Sequence, residues 1–241
     1  MIPPHFPRAI RAAIFDFDET MIDLEAQHTW ASAELCRAHG DDYARMPEEF
    51  RRGSGRRVID DVRELRAFFG WSEPVEELFA ERQRHFDAAC GLAATPPAGI
   101  AAPPGLPLQL MPGVARAVRA LHANGVTLAV TSSAVASSID GILRITGLRD
   151  LFALIVDGSE VVRGKPDPEA YLLTLRRLDV APDECIVFED SNVGVLAAKR
   201  AGIYCIAVRN PNAGTWQDLS AADVELPSLD AFDLAWVTTG S

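Results

Sequence analysis

The chain has 241 residues, of which 48% are hydrophobic and 24% are charged, and its formal net charge at pH 7 is −11. This profile predicts one large globular domain, or one domain with an insert, and the acidic balance argues against nucleic acid or an anionic membrane surface as a partner. The chain has no apolar run near the roughly 20 residues that span a bilayer, no start typical of a signal peptide and no C-x-x-C spacing among its four cysteines, so we expect a cytoplasmic protein with reduced thiols.

The first predicted element is a strand over residues 12–17 that ends in two aspartates, within the sequence IFDFDET at residues 14–20. The period of two in a strand places Asp16 and Asp18 on the same side of its end. Two carboxylates held so close are costly to ionise together, so one stays protonated while the other attacks or binds a metal. Such a pair offers a nucleophile and a general acid.

The next 90 residues differ in character from the rest of the chain. Three segments carry apolar residues at helical spacing: 25–38, 56–69 and 74–89. Residues 95–107 are too rich in proline for a helix or a central strand and suit a semi-rigid linker. We predict a core domain of residues 1–23 and 108–241, interrupted by a helical cap domain of residues 24–107 that includes this linker.

The remaining sequence alternates strands with helices. Short apolar runs predict buried parallel strands at 127–131, 153–157, 185–189 and 204–208. Helical patterns lie at 113–123, 135–146, 168–178 and 193–201. An edge strand near Val224 and a short helix are expected to follow. The alternation predicts an α/β fold, with a Rossmann-like, doubly wound parallel sheet and right-handed crossovers.

Polar side chains follow the predicted strands at the carboxyl edge, where open α/β sheets place their sites. In chain order they are Asp16, Asp18, Thr131, Ser132, Ser133, Lys165, Glu189 and Asp190. Acidic pairs, hydroxyls and a lysine on one edge suit phosphoryl transfer, which depends on positioning and charge neutralisation. A dianionic phosphate near Asp16 and Asp190 would be repelled unless Mg²⁺ and Lys165 supply compensating charge.

In this order and spacing, the motifs resemble those of the haloacid dehalogenase superfamily of phosphohydrolases, in the branch with a helical cap inserted after the first strand. The resemblance covers residues from about 9 to 230 and extends to β-phosphoglucomutases and related phosphatases. It implies that Asp16 is the nucleophile and forms an aspartyl-phosphate. It also implies that Asp18 protonates the leaving oxygen and then activates water.

The resemblance implies roles for the other motif residues as well. Thr131 would donate a hydrogen bond to the phosphoryl oxygens, assisted by the adjoining chain at Ser132, and Lys165 would balance charge between nucleophile and phosphate. Mg²⁺ would be held by Asp16, Asp190 and the main-chain carbonyl of Asp18. Glu189 would be either a further ligand or a support for the ligands.

Two cap residues match substrate-binding positions in these relatives. Arg56 corresponds to an arginine that β-phosphoglucomutases use on a second phosphate, although it could equally be a solvated residue at the start of a helix. His28 corresponds to a histidine near the cap hinge of mutases and several sugar-phosphate phosphatases. Two departures stand out: Glu19 replaces a usual glycine, and Ala134 and Val135 replace a Lys-Asn pair found in the mutases.

These observations favour a Mg²⁺-dependent phosphatase that acts on a small phosphorylated metabolite, with sugar phosphates preferred. The presence of Asp18 argues against dehalogenases and phosphonate hydrolases, which lack an acid there. A phosphosugar mutase is the first alternative, and a non-catalytic binding protein with the same fold is the second. The intact acidic and basic set argues against the latter, and the sequence leaves the oligomeric state open.

Overall fold

The computed structural model of the chain describes residues 3, 5–7, 9–51, 55–93, 105–211 and 217–238. Its strands are β1 (Ala12–Phe15), β2 (Ile22–Asp23), β3 (Gln109–Leu110), β4 (Thr127–Thr131), β5 (Phe152–Val156), β6 (Cys185–Glu189), β7 (Tyr204–Val208) and β8 (Val224–Leu226). Its α-helices are α1 (Glu25–Ala38), α2 (Glu48–Arg51), α3 (Val58–Phe69), α4 (Val75–Ala89), α5 (Val114–Ala123), α6 (Ala136–Ile145), α7 (Glu169–Leu178), α8 (Asn192–Arg200) and α9 (Ala235–Thr238).

A six-stranded parallel sheet in the order β5-β4-β1-β6-β7-β8 forms the centre of the fold. The chain first builds outward from β1 through β4 to β5, and then returns to the other side of β1 for β6, β7 and β8. This order confirms the predicted α/β, doubly wound architecture. It brings the carboxyl ends of β4 and β6 to either side of the end of β1, at the switch point where such sheets place their sites.

Alternate residues of the central strands enter two different hydrophobic cores. Phe15 of β1 and Phe188 of β6 stack with ring centroids 4.6 Å apart in one core. Ile14 and Val187 lie in the other core, on the opposite face of the sheet. Because helices cover both faces, these strands are apolar throughout, as expected for a parallel sheet.

Helices α1 to α4 lie between β2 and β3 and have a core of their own, formed by Leu35, Cys36, Met46, Val58, Val62, Leu65, Trp71 and Leu78. The predicted helical insert is therefore confirmed as part of the fold. Its exact division from the core at residues 23 and 108 remains a proposal. Most of the predicted proline-rich linker lies in residues 94–104, outside the described residues.

The chain crosses between the sheet and the insert through an antiparallel pair, β2 with β3, which the sequence did not predict because each strand has only two residues. The first strand also ends earlier than predicted, at Phe15. Beyond it the chain turns, since the N–H groups of Met21 and Ile22 both donate to the carbonyl of Phe17. Among the described residues, no helix is both long and apolar enough to cross a membrane.

Candidate active site

A cavity of about 280 Å³ lies between the carboxyl edge of the sheet and helices α1 to α4. Asp16, Asp18 and Ser132 line the end at the sheet, whereas Arg56 and Arg82 line the end in the insert. The first three residues come from the segments directly after β1 and β4, so the doubly wound strand order brings them together. The cavity thus joins a carboxylate-rich end to an arginine-rich end.

Lys165 connects the ends of two strands through buried ion pairs. Its Nζ donates to Oδ1 of Asp16 and to Oε1 of Glu189, the latter at 2.6 Å. Burial by itself would lower the pKa of Lys165, but the two carboxylates outweigh this effect and raise the pKa above its ordinary value. Tyr171 of α7 also contacts the cluster, because its hydroxyl donates a hydrogen bond of 2.8 Å to Oε1 of Glu189.

The second oxygen of Glu189 accepts hydrogen bonds as well. Oε2 accepts hydrogen bonds of 3.0 Å from the N–H groups of Asp190 and Ser191 and from the Ser191 hydroxyl. Gly194 on α8 lies against the same carboxylate, and a Cβ at this position would be only 1.7 Å from Oε1. Glu189 therefore acts as a fixed anchor for Lys165, and glycine is needed where α8 passes it.

Three buried carboxylates at this edge could hold a cation. Oxygens of Asp16, Glu189 and Asp190 lie within 4.8 Å of one another, and Oδ1 of Asp190 accepts a 2.8 Å hydrogen bond from the Thr20 hydroxyl. Burial raises the pKa of Asp16 to about 8 against the lowering effect of Lys165, and burial together with Glu189 and Asp16 raises that of Asp190 well above its ordinary value. Oxygen ligands with excess negative charge suit a hard divalent cation.

Asp18 faces the insert through His28 of α1. Its Oδ2 lies 3.4 Å from Nε2 of His28, and its Oδ1 is buried without a hydrogen-bond partner. Nη2 of Arg82 lies 3.0 Å from Nδ1 of His28. Because a guanidinium has only donors, Nδ1 accepts this bond, and the proton on Nε2 points toward Asp18.

The structure places the two candidate hydroxyls, those of Thr131 and Ser132, in different surroundings. Thr131 is fully buried within β4, and its hydroxyl lies 2.6 Å from that of Thr174 on α7, which in turn donates to the carbonyl of Ala170. The Thr131 hydroxyl is thus directed away from the cavity. Ser132 lines the cavity instead, and its Oγ accepts from the N–H of Ala134, which leaves the hydroxyl proton available to a ligand.

Glu19 occupies the position at which the sequence departs from glycine. Its backbone adopts a φ of +64°, in the left-handed region. The buried carboxylate accepts hydrogen bonds from the N–H of Leu24 at 2.9 Å and from the side-chain amide of Asn210 at 2.8 Å. Burial raises the pKa of Glu19 to about 7. The side chain thus links the loop after β1 to the start of α1 and to the segment after β7.

Arg56 lines the cavity, as expected, but it is engaged by acidic neighbours. Its Nε donates to Asp61 at 2.8 Å, and its Nη1 lies 3.0 Å from Glu64. Arg82 was not singled out from the sequence, although a signal existed. It lies four residues from both Leu78 and Phe86 on the buried face of α4, where an arginine is unusual.

The chain is similar over most of its length to proteins named as phosphatases. The family described as haloacid dehalogenase-like hydrolase matches residues 10–202. Validoxylamine A 7'-phosphate phosphatase of Streptomyces hygroscopicus subsp. limoneus is 32% identical over 225 residues, which are 91% of this chain and 94% of that protein. Hexitol phosphatase B of Escherichia coli is 30% identical over 224 residues, which are 92% and 94% of the two chains.

A similar solved structure is that of a mutant of CbbY from Rhodobacter sphaeroides in complex with xylulose-(1,5)bisphosphate. It has a TM-score of 0.79 and 26% sequence identity, and the match covers 95% of this chain and 99% of that one. The likeness therefore includes both the sheet and the helical insert.

Exchanging the two candidate hydroxyls separately should distinguish their roles. Ser132→Ala removes a hydrogen bond to a charged phosphoryl group, so we expect kcat/KM to fall about 10–100-fold, as such bonds contribute about 1.5–3 kcal/mol. Thr131→Val should lower the free energy of unfolding by about 1 kcal/mol with kcat/KM nearly unchanged. Steady-state kinetics and urea unfolding of both variants measure this, and the reverse pattern would identify Thr131 as the phosphate-binding residue.

Gly194→Ala should move the Glu189 carboxylate and with it Lys165, so we expect kcat to fall at least tenfold even though alanine favours a helix by about 0.5–1 kcal/mol over glycine. Gly141→Ala is the matched control, because it lies inside α6 and the three atoms nearest to its Cβ would all belong to the flexible side chain of Leu92. The control should keep its activity. Unchanged kinetics in Gly194→Ala would show that the position of Glu189 does not matter for turnover.

Proposed function

The chain belongs to the haloacid dehalogenase-like hydrolases and is a phosphoric monoester hydrolase, and we propose that it cleaves a sugar phosphate with Mg²⁺ through an aspartyl-phosphate intermediate. The observation that carries this proposal is the arrangement of Asp16. It is buried, paired with Lys165 and placed at the cavity end beside Asp18. A nucleophile, a fixed positive charge and a second carboxyl group therefore share one cavity.

In the first step, a carboxylate oxygen of Asp16 attacks phosphorus while the bond from phosphorus to the sugar oxygen breaks. Asp18, as a carboxylic acid, gives its proton to that oxygen. In the second step, Asp18 takes a proton from water as the water oxygen attacks phosphorus, which releases phosphate and restores Asp16. His28 keeps Asp18 oriented, Ser132 donates a hydrogen bond to a phosphoryl oxygen, and Lys165 offsets the negative charge.

We assign the Mg²⁺ site to the carboxylates of Asp16 and Asp190 and the carbonyl of Asp18, with Glu189 beside them. The close approach of the buried carboxylate oxygens supports this assignment. When bound, the ion neutralises phosphate charge and polarises a phosphoryl oxygen. A phosphosugar mutase is less well supported, because Ala134 and Val135 replace the Lys-Asn pair of those enzymes. We also propose a cytoplasmic location, which agrees with four free cysteines.

The proposal is tested by phosphate release from a panel of sugar and nucleoside monophosphates, with Mg²⁺ and with EDTA. We expect release that depends on the metal, is abolished in Asp16→Asn and is reduced about 10²–10⁴-fold in Asp18→Asn. An Asp16→Asn variant as active as the wild type would refute the aspartyl-phosphate. If the wild type releases no phosphate, activity with a bisphosphate activator would identify a mutase, and its absence would favour a binding protein.

Thermal unfolding with and without Mg²⁺ tests the metal site through its pH dependence. In the folded protein the pKa of Asp16 is raised to about 8, so the folded state gains protons relative to the unfolded chain and loses stability as pH rises through 8. Mg²⁺ must displace such a proton, so its affinity should increase between pH 6 and pH 8. At 100 times Kd the gain is about 2.7 kcal/mol, or about 5–11 °C in Tm.

We therefore expect Mg²⁺ to raise Tm more at pH 8 than at pH 6. Asp190→Asn is the control, because it keeps the size of the side chain and should remove most of the shift at both pH values. An equal shift at both pH values in the wild type would place the cation away from Asp16.

A further inference from the structure

Three arginines, Arg51, Arg56 and Arg82, line the end of the cavity in the insert, and one of them, Arg56, is neutralised by acidic neighbours. Arg56 contacts Asp61 with Nε at 2.8 Å and with Nη2 at 2.6 Å, and it contacts Glu64 with Nη1 at 3.0 Å. Its guanidinium also lies over the ring of Phe50, 4.9 Å from the centroid. Two carboxylates within 3.0 Å neutralise this arginine before any ligand arrives.

Arg82 differs from Arg56 in two ways: it pairs with no carboxylate among the described residues, and its unused donor, Nη1, is not directed at one. The side chain is 3% exposed and lines the cavity. Its Nε donates to the Ser32 hydroxyl at 3.0 Å and its Nη2 to His28, whereas Nη1 is buried and makes no hydrogen bond to the described residues. A buried N–H group without a partner is costly, so a ligand oxygen at Nη1 would be favourable.

An acceptor lies close to this donor in the same part of the cavity. Asp61 lines the cavity, and both of its contacts with Arg56 are made through Oδ1. The charge of Asp61 also acts on Arg82, since it opposes the lowering of the Arg82 pKa by burial. A hydroxyl group both donates and accepts, so one hydroxyl can accept from Arg82 and another can donate to Asp61.

We propose that this end of the cavity binds the uncharged hydroxyl groups of the substrate, so that the enzyme prefers sugar monophosphates to the corresponding bisphosphates. A second phosphate would bring a charge of about −1.5 to −2 next to Asp61 and Glu64, which already occupy Arg56. The inference rests on the proposed function and specifies its substrate class. It also separates this chain from CbbY, which has been crystallised with a bisphosphate.

The experiment compares kcat/KM for matched pairs, glucose 6-phosphate with glucose 1,6-bisphosphate and fructose 6-phosphate with fructose 1,6-bisphosphate. We expect the wild type to use each monophosphate at least tenfold better. Wild-type hydrolysis of the bisphosphates at equal or higher kcat/KM would overturn the inference. p-Nitrophenyl phosphate is the control that separates two failures. If only the inference is wrong, the enzyme still hydrolyses this ester. If the proposed phosphatase function is wrong, the ester remains intact.

Variants test which side chains set the preference. Asp61→Asn and Glu64→Gln, alone and combined, release Arg56, and the combined variant should raise the ratio of bisphosphate to monophosphate kcat/KM at least tenfold. Asp140→Asn is the control, because this carboxylate pairs with Arg144 and Arg149 away from the cavity. An unchanged ratio in the folded combined variant would refute the role of the acidic pair.

Arg82→Lys tests the unused donor. Arg82 also contacts His28, and losing that contact should change the hydrolysis of every substrate by the same factor. The informative readout is therefore kcat/KM for a sugar monophosphate divided by kcat/KM for p-nitrophenyl phosphate. We expect this ratio to fall at least fivefold, mainly through KM. A fall of equal size for both substrates would mean that Arg82 acts only through His28 and binds no substrate hydroxyl.

Discussion

The buried ion pairs of Lys165 with Asp16 and Glu189 are the interaction on which the rest of the site depends. Removing one partner of such a cluster leaves an uncompensated buried charge, which is strongly destabilising. Glu189 accepts hydrogen bonds at both oxygens, and Tyr171 supports it from α7. With Asp190 nearby, the carboxylates outnumber the lysine, and burial raises the pKa of both Asp16 and Asp190. A divalent cation that displaces these protons would supply the positive charge that a phosphate then needs.

The doubly wound sheet explains why this cluster can form from residues so distant in sequence. β1 lies between β4 and β6, so the segments that follow all three strands meet at one edge. The same strands are buried on both faces, which keeps their ends fixed while loops and helices carry the polar groups. Where α8 leaves this edge, only a residue without a Cβ fits beside Glu189, and Gly194 supplies it. The same backbone arrangement therefore buries the strands and brings the charged groups together at one edge of the sheet.

The sequence allowed most of the sheet and its polar edge to be predicted, because short apolar runs ending in charged residues have few other interpretations. The surroundings of Thr131 were not predictable, because it is the last residue of β4 and follows the alternation that turns Ala129 toward α7. The first residue beyond the strand, Ser132, is the one that reaches the cavity. Periodicity cannot locate the end of a strand to a single residue. The ion pairs of Arg56 could not be predicted either, because they depend on how the segment before α3 folds back along that helix.

Glu19 shows how the start of the insert is tied to the chemistry of the core. A left-handed backbone costs a residue other than glycine about 1–3 kcal/mol, and here two hydrogen bonds that the buried carboxylate accepts offset that cost. One of them holds the N–H of Leu24, directly before α1. The same helix carries His28, which faces Asp18, and Ser32, which holds Arg82. The Glu19 side chain therefore helps to fix the start of α1, the helix whose residues contact both Asp18 and Arg82 in the cavity.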